Sequence, residues 1–263
     1  MANLEKNAIS IQNLSLSLGN KQILNNLSVE IKSNQVTALL GPNGAGKSSL
    51  LKCLSRELSV PKNTQLKYFE HSITDWPKNL LPQHLAVLAQ QSSLTFAFTV
   101  QEVIELGLLP LNLSTKQAKK VVRENMVKVG VENLADRLYP TLSGGEKQRV
   151  HLARVLTQLN QSKDKTILML DEPTSALDLA HQHNTLKLAK QLAYEGAAVI
   201  IVLHDLNLAA QYADRVLVLA DGEIKADGTP WNALTSNMIE KVYGQKTLIE
   251  KHPISDYPVI HAA

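Results

Sequence analysis

The chain has 263 residues, 44% of them hydrophobic, with a formal net charge of +3 and eight histidines. That length and apolar content support one large or two small packed domains and exclude an intrinsically disordered chain. The charge is too small for the dense basic stripe of a nucleic-acid binder, so no nucleic-acid partner is expected. Cys53 is the only cysteine, which rules out an internal disulfide, and its place in an apolar helical stretch reads as a small buried hydrophobe.

In chain order, Ile9 to Ile11, Leu14 to Leu18 and Leu27 to Ile31 alternate apolar and polar residues, which predicts strands, with Gly19-Asn20 as a turn. These form a small β-layer. The apolar run Val36 to Leu40 predicts a buried strand that ends at Gly41-Pro42-Asn43-Gly44-Ala45-Gly46-Lys47-Ser48-Ser49. This G-x-x-x-x-G-K-S pattern after a strand is a phosphate cradle. Its glycines let backbone N–H groups turn toward the β- and γ-phosphates, and the helix beginning near Gly46 aims its positive end at them. Lys47 supplies a point charge, and Ser48 a hydroxyl for Mg²⁺.

A mixed segment follows, then the short strand Leu85 to Ala89, ending at Gln90. From there to Leu142 the pattern is helical. Thr99-x-x-Glu102 and Ser114-x-x-Gln117 are capping boxes, and Gly130 is a C-terminal helix stop. The basic face Lys116, Lys119, Lys120, Arg123 and Lys128 reads as a solvated surface. The core resumes at Thr166 to Leu170, followed by a long helix to about Glu195, a stop at Gly196 and the strand Ala197 to Leu203. Continuous apolar strands alternating with helices predict a parallel sheet covered on both faces. Asp221-Gly222 between Arg215 to Ala220 and Glu223 to Ala226 predicts a hairpin. The remainder reads as short helices and a loose tail. No stretch reaches the roughly 20 apolar residues of a membrane span, and the N-terminus lacks a signal-peptide core. A membrane process would need another chain to cross the bilayer.

Ile167 to Leu170 delivers Asp171 and Glu172 at a strand's C-terminal end, where an open α/β sheet places its ligand. Asp171 there is expected to hold Mg²⁺, and Glu172 to orient and polarise the water that attacks the γ-phosphate. In Leu142-Ser143-Gly144-Gly145-Glu146, Ser143 and Glu146 form a capping box around two glycines that expose N–H groups. That is a second anion-binding helix start, about a hundred residues after the first. One nucleotide needs only one such cradle, so two chains exchanging them is the economical arrangement. His181 and His183, two apart on a helix, face different directions and make a poor metal pair.

The signature Leu142 to Glu146, with the phosphate loop upstream and Leu170-Asp171-Glu172-Pro173-Thr174-Ser175 downstream, resembles the ATP-binding subunits of ABC transporters over essentially the whole chain. The resemblance implies an α/β fold: a P-loop NTPase core with an N-terminal antiparallel β-layer and an inserted helical subdomain. It implies a single ABC ATPase domain over 1–263, its core at 1–90 and 142–263 and its helical subdomain at 91–141. It further implies ATP and Mg²⁺ as cofactors and a head-to-tail homodimer in which Ser143, Gly144, Gly145 and Glu146 of one subunit close on the ATP held by the other. Gln90 then matches a metal-binding Q-loop, Ser175 and Asp178 the D-loop, and His204 a catalytic switch histidine. The family usually stacks adenine on an aromatic residue, whereas Leu18 stands there, which leaves GTP open.

Several segments are similar to iron-siderophore, haem and cobalamin importers: Phe96 to Ile104, His204 to Ala210, Asp227-Gly228-Thr229-Pro230 and Val242-Tyr243-Gly244. Leu152 to Leu156 and Ala176 to His183 look most like the haemin-import subunits, with siderophore or cobalamin import as the alternative. This implies a peripheral place on the cytoplasmic side of the bacterial inner membrane. The implied partners are two transmembrane permease subunits, docked in the groove between helical subdomain and core, and indirectly a periplasmic haem-binding protein. A DNA-repair or translation ATPase would carry a long coiled coil or two ATPase domains, and a P-loop kinase would not explain Leu142 to Glu146.

Overall fold

A computed structural model describes residues 6–77, 79–90, 96–162 and 165–263. The start of the expected helical subdomain, residues 91–95, and most of the N-terminal heptapeptide lie outside them. The first two expected strands are one, β1 (Asn7–Leu18), paired antiparallel with β2 (Lys21–Lys32). The polar pair Gln12-Asn13 bulges rather than ends the strand: Asn13 takes φ 58° and its N–H is captured by Ser28 Oγ at 3.1 Å. β3 (Gln35–Leu40) leads to α1 (Lys47–Leu54), and β4 (Gln65–Tyr68) and β5 (His71–Ser72) complete a four-stranded layer in the order β2-β1-β4-β5. The mixed segment thus contributes strands that alternation over so few residues did not reveal.

After α2 (Leu81–His84) and β6 (Leu85–Leu88) come α3 (Val100–Glu105), α4 (Thr115–Lys128) and α5 (Gly144–Gln158). Both expected capping boxes form, at Thr99 with Glu102 and Ser114 with Gln117. Gly130, at φ 69°, ends α4 in a Schellman motif, Val131 N–H reaching Met126 O at 3.0 Å and Gly130 N–H reaching Val127 O at 3.1 Å. α5 packs on α3 and α4 on one side and β6 on the other.

β7 (Ile167–Asp171), α6 (Leu179–Tyr194), β8 (Ala198–Val202), α7 (Leu206–Tyr212), β9 (Arg215–Ala220) and β10 (Glu223–Gly228) complete the second sheet, ordered β10-β9-β3-β8-β7-β6. All its pairings are parallel except β9 with β10, the expected hairpin. Strand alternation explains the unbroken apolar runs. Leu168, Leu170, Val199 and Ile201 enter the core shared with the helices, while Ile167, Met169, Ile200 and Val202 enter the core shared with α1 and the β-layer.

Beyond α8 (Pro230–Ala233) and α9 (Ser236–Tyr243), the expected loose tail is instead a hairpin of β11 (Thr247–Lys251) and β12 (Pro258–Ala262). It is pinned to α7 by Asn207, whose amide donates to Ile260 O at 3.1 Å and accepts from Ile260 N–H at 2.8 Å. Ile249, Tyr257 and Ile260 also pack on the main core, too few and too widely spaced to leave an apolar pattern in the sequence. No helix among the described residues is long and apolar enough to cross a membrane.

Candidate nucleotide site

Parallel strands end together, so β3, β6, β7 and β8 deliver Gly41, Gln90, Asp171-Glu172 and His204 to one edge of the sheet. An open cleft of about 660 Å³ lies there, lined by Asn43 to Ser49, Gln90, Glu172, His204, Lys21 and Ile23. The loop from Gly41 to Gly46 can wrap it because Gly41 has φ 146° and a Cβ there would fall 2.0 Å from Leu219 O. Lys47 is buried and donates from Nζ to Gly41 O at 2.7 Å and Pro42 O at 3.0 Å. Burial pulls its pKa down from the usual lysine value, an effect opposed by the carboxylates of Glu172 and Asp171. Gly41 N–H bonds to the Tyr243 hydroxyl, whose pKa burial nonetheless pushes up to about 12. Cys53 is buried on the far side of α1, its thiol raised by burial to about 11 and correspondingly inert.

Glu172 occupies the centre of the cleft edge. Its Oε2 accepts from Gln90 Nε2 at 2.6 Å and its Oε1 lies 2.5 Å from His204 Nε2, so loops from three strands meet at one carboxylate. Its side chain is only 13% exposed, against 46% for His204. Asp171 is buried one residue earlier. Its carboxyl is pushed above the usual range by burial, against the stabilising hydrogen bond from Ser48. Asp171 Oδ1 has no hydrogen-bond partner among the described residues. An unsatisfied buried carboxylate oxygen beside a serine hydroxyl and a lysine is an oxygen-donor set that fits Mg²⁺.

Ser143, Gly144, Gly145 and Glu146 do not line this cleft, and neither do Ser175 or Asp178. Ser143 N–H donates to Glu146 Oε2 at 2.7 Å and Glu146 N–H to Ser143 Oγ at 3.3 Å, which leaves the glycine N–H groups at the start of α5 facing outward. The Ser143 N–H and hydroxyl, with Arg137 nearby, hold the Glu146 carboxyl below the usual range. Ser175 Oγ donates to Glu172 O at 3.1 Å, and Asp178 caps α6 by accepting from His181 N–H at 2.9 Å. His181 Nδ1 also meets Asp178, while His183 Nδ1 meets the Tyr212 hydroxyl at 2.7 Å, so the two histidines serve separate structural contacts.

Two features escaped the sequence. Lys21 and Ile23 of β2 line the β-layer side of the cleft, with Leu18 directly cross-strand from Lys21. Gln148 Nε2 donates to Glu172 O at 3.1 Å, a contact between α5 and the β7 loop that no motif spacing announces.

The sequence profile of the ABC transporter family matches residues 24–175. The chain is 58% identical over 255 residues to the hemin import ATP-binding protein HmuV of Photobacterium damsela subsp. piscicida, covering 97% of this chain and 96% of that protein. It is 58% identical to the HmuV of Aliivibrio fischeri over 97% of this chain and 98% of the relative, and 55% to that of Vibrio cholerae over the same shares. Among solved structures, an inward-facing metal-chelate type ABC transporter superposes with TM-score 0.80 at 24% identity, covering 98% of each chain. A dimeric bacterial ABC transporter cassette superposes with TM-score 0.75 at 26% identity, covering 84% of this chain and 98% of that one. With its phosphate cradle, paired acidic residues and signature helix on that fold, the chain belongs to the ABC transporter family, as an ATP-binding subunit that hydrolyses ATP.

Proposed function

We propose that this subunit powers haem import across the bacterial inner membrane from its cytoplasmic side. The observation that carries the mechanism is the Glu172 carboxylate, held by Gln90 and His204 at the mouth of the phosphate cradle. Lys47 and the N–H groups of Gly44 to Ser49 bind the phosphates. Glu172 accepts the proton of the attacking water, and His204 contacts the γ-phosphate. Ser48 and Asp171, with the Gln90 carbonyl oxygen, would hold Mg²⁺, which when bound neutralises charge on the β- and γ-phosphates.

The outward-facing glycines at the start of α5 complete the site of a second copy, so the working unit is a head-to-tail homodimer with two ATP molecules. The division into a core at 1–90 and 142–263 and a helical subdomain at 91–141 supplies the moving parts. The groove between them receives two permease subunits, with a periplasmic haem-binding protein on the far side. Closure on ATP and reopening after hydrolysis drive transport. The haem assignment rests on the HmuV relatives, alike over nearly the full length.

ATPase activity of this protein co-purified with its membrane partner in lipid, with and without a haem-loaded periplasmic protein, tests the reading. Stimulation by the haem form alone is the expected result. Stimulation instead by a ferric-siderophore or cobalamin binding protein keeps the ATPase and overturns the cargo.

A further inference from the structure

Glu172 sits at φ 53°, in the left-handed region that non-glycine residues avoid. Such a conformation persists only where surrounding contacts enforce it. Its N–H donates to Val202 O at 3.2 Å. Its carbonyl oxygen accepts from Ser175 N–H at 3.3 Å, Ser175 Oγ at 3.1 Å and Gln148 Nε2 at 3.1 Å. The two Ser175 contacts lie within the same loop and move with it. Gln148 is different: it belongs to α5, a little over one turn from Ser143-Gly144-Gly145.

The Gln148 side chain has this contact in place of full satisfaction of its own groups, since its Oε1 is buried without a hydrogen-bond partner among the described residues. A flipped amide would set oxygen against oxygen at Glu172, so the donor orientation is the one chemistry allows. The start of α5 also bears directly on the loop, for a Cβ on Gly145 would come within 3.0 Å of Ala176 O. A displacement of the α5 N-terminus therefore pulls on the carbonyl of Glu172, and through its constrained backbone on the direction of its carboxylate.

We propose that Gln148 is a positioning residue that couples the outward anion-binding end of α5 to Glu172 within one subunit, so that docking of the partner's nucleotide on α5 aligns this subunit's own general base. The inference rests on the roles given above to Glu172 and to Ser143-Gly144-Gly145. It adds a route between the two composite ATP sites that runs inside each chain.

The test uses the purified full-length protein and compares Gln148→Met, which keeps length and removes the donor, with Gln148→Lys, which restores a donor, and with Glu172→Gln. For Gln148→Met, kcat falls about tenfold, the effect of losing one orienting hydrogen bond, and the Hill coefficient for ATP drops toward one. ATP affinity and Tm stay at wild-type values, and Gln148→Lys recovers much of the rate. Wild-type kcat and cooperativity in Gln148→Met, with hydrolysis abolished in Glu172→Gln, overturns the coupling and leaves the general base in place. A fall in Tm with the rate, unrescued by lysine, overturns it as ordinary packing. Normal turnover by Glu172→Gln removes the general base and the coupling with it.

Discussion

Gly144→Ala separates what this subunit needs for its own folding from what it offers a second copy. Gly144 opens α5 with no positive φ, and an added Cβ would meet only the Cβ of Ala176 at 3.7 Å, ordinary contact. Nothing among the described residues demands glycine there. Replacing it removes conformational freedom from the unfolded chain, worth about 0.4–1 kcal/mol, which for a chain of this size raises Tm by about 1–4 °C. Function moves the other way. On the proposed head-to-tail arrangement the methyl group stands where the glycine N–H groups approach a phosphate, and losing two charge-assisted hydrogen bonds at about 1.5–3 kcal/mol each lowers turnover by at least about a hundredfold. Gly107→Ala is the contrast, since its Cβ would fall 2.3 Å from Arg154 O and overpack the contact between residues 106–108 and α5. That substitution costs about 1–3 kcal/mol and lowers Tm. Thermal melts and phosphate release on the three proteins decide the matter. Wild-type turnover in Gly144→Ala would refute close approach of a nucleotide, and a Tm several degrees below wild type would refute the claim that the glycine serves only a partner.

Asp171→Asn removes a buried carboxylate whose burial disfavours its charge, so Tm rises in the absence of nucleotide while Mg²⁺-dependent hydrolysis is lost; a lower Tm would contradict the electrostatic reading. Lys47→Ala deletes a buried ammonium from the cradle and weakens ATP binding by roughly ten- to a hundredfold in a titration, as expected for charge-assisted hydrogen bonds to phosphate. Unchanged affinity would count against the cradle. Glu102 has its carboxyl held below the usual range by the Thr99 N–H and then its hydroxyl. Its contribution to stability is present above the unfolded-state pKa and lost as pH falls through the lower folded value. The Tm gap between wild type and Glu102→Gln therefore closes on acidification, and a gap independent of pH would refute the capping role.

The phosphate loop, the acidic pair at the end of β7 and the capped start of α5 were legible because each is a local device. The loop's glycines, lysine and serine act within one turn of chain, and a capping box is defined by residues three apart. The parallel sheet was equally legible, since burial on both faces leaves no polar position in Ile167 to Leu170 or Ala198 to Val202. What escaped depends on partners distant in sequence. Lys21 and Ile23 face the cleft only because of how β2 pairs with β1, and β11 with β12 is held by Asn207, some fifty residues away. Leu18, expected near the nucleotide base, stands directly cross-strand from Lys21, which lines the cleft.

α5 shows why a motif reading stops short of mechanism. Its first turn carries the signature, legible at once, yet the same helix donates from Gln148 to Glu172 O and, at its far end, from Gln158 Nε2 to Pro82 O at 2.7 Å and Leu85 O at 3.0 Å. Leu85 begins the strand that ends just before Gln90. One rigid element thus touches the chain on both sides of the Gln90–Glu172 hydrogen bond, from Glu172 itself to the root of the strand that delivers its amide partner. A helix cannot shift at one end alone without bending, because its backbone hydrogen bonds are continuous. On the proposed head-to-tail arrangement, any displacement that the partner's nucleotide imposes on Ser143-Gly144-Gly145 is therefore shared between Glu172 and the β6 strand, and the geometry of the proposed general base becomes a property of the dimer.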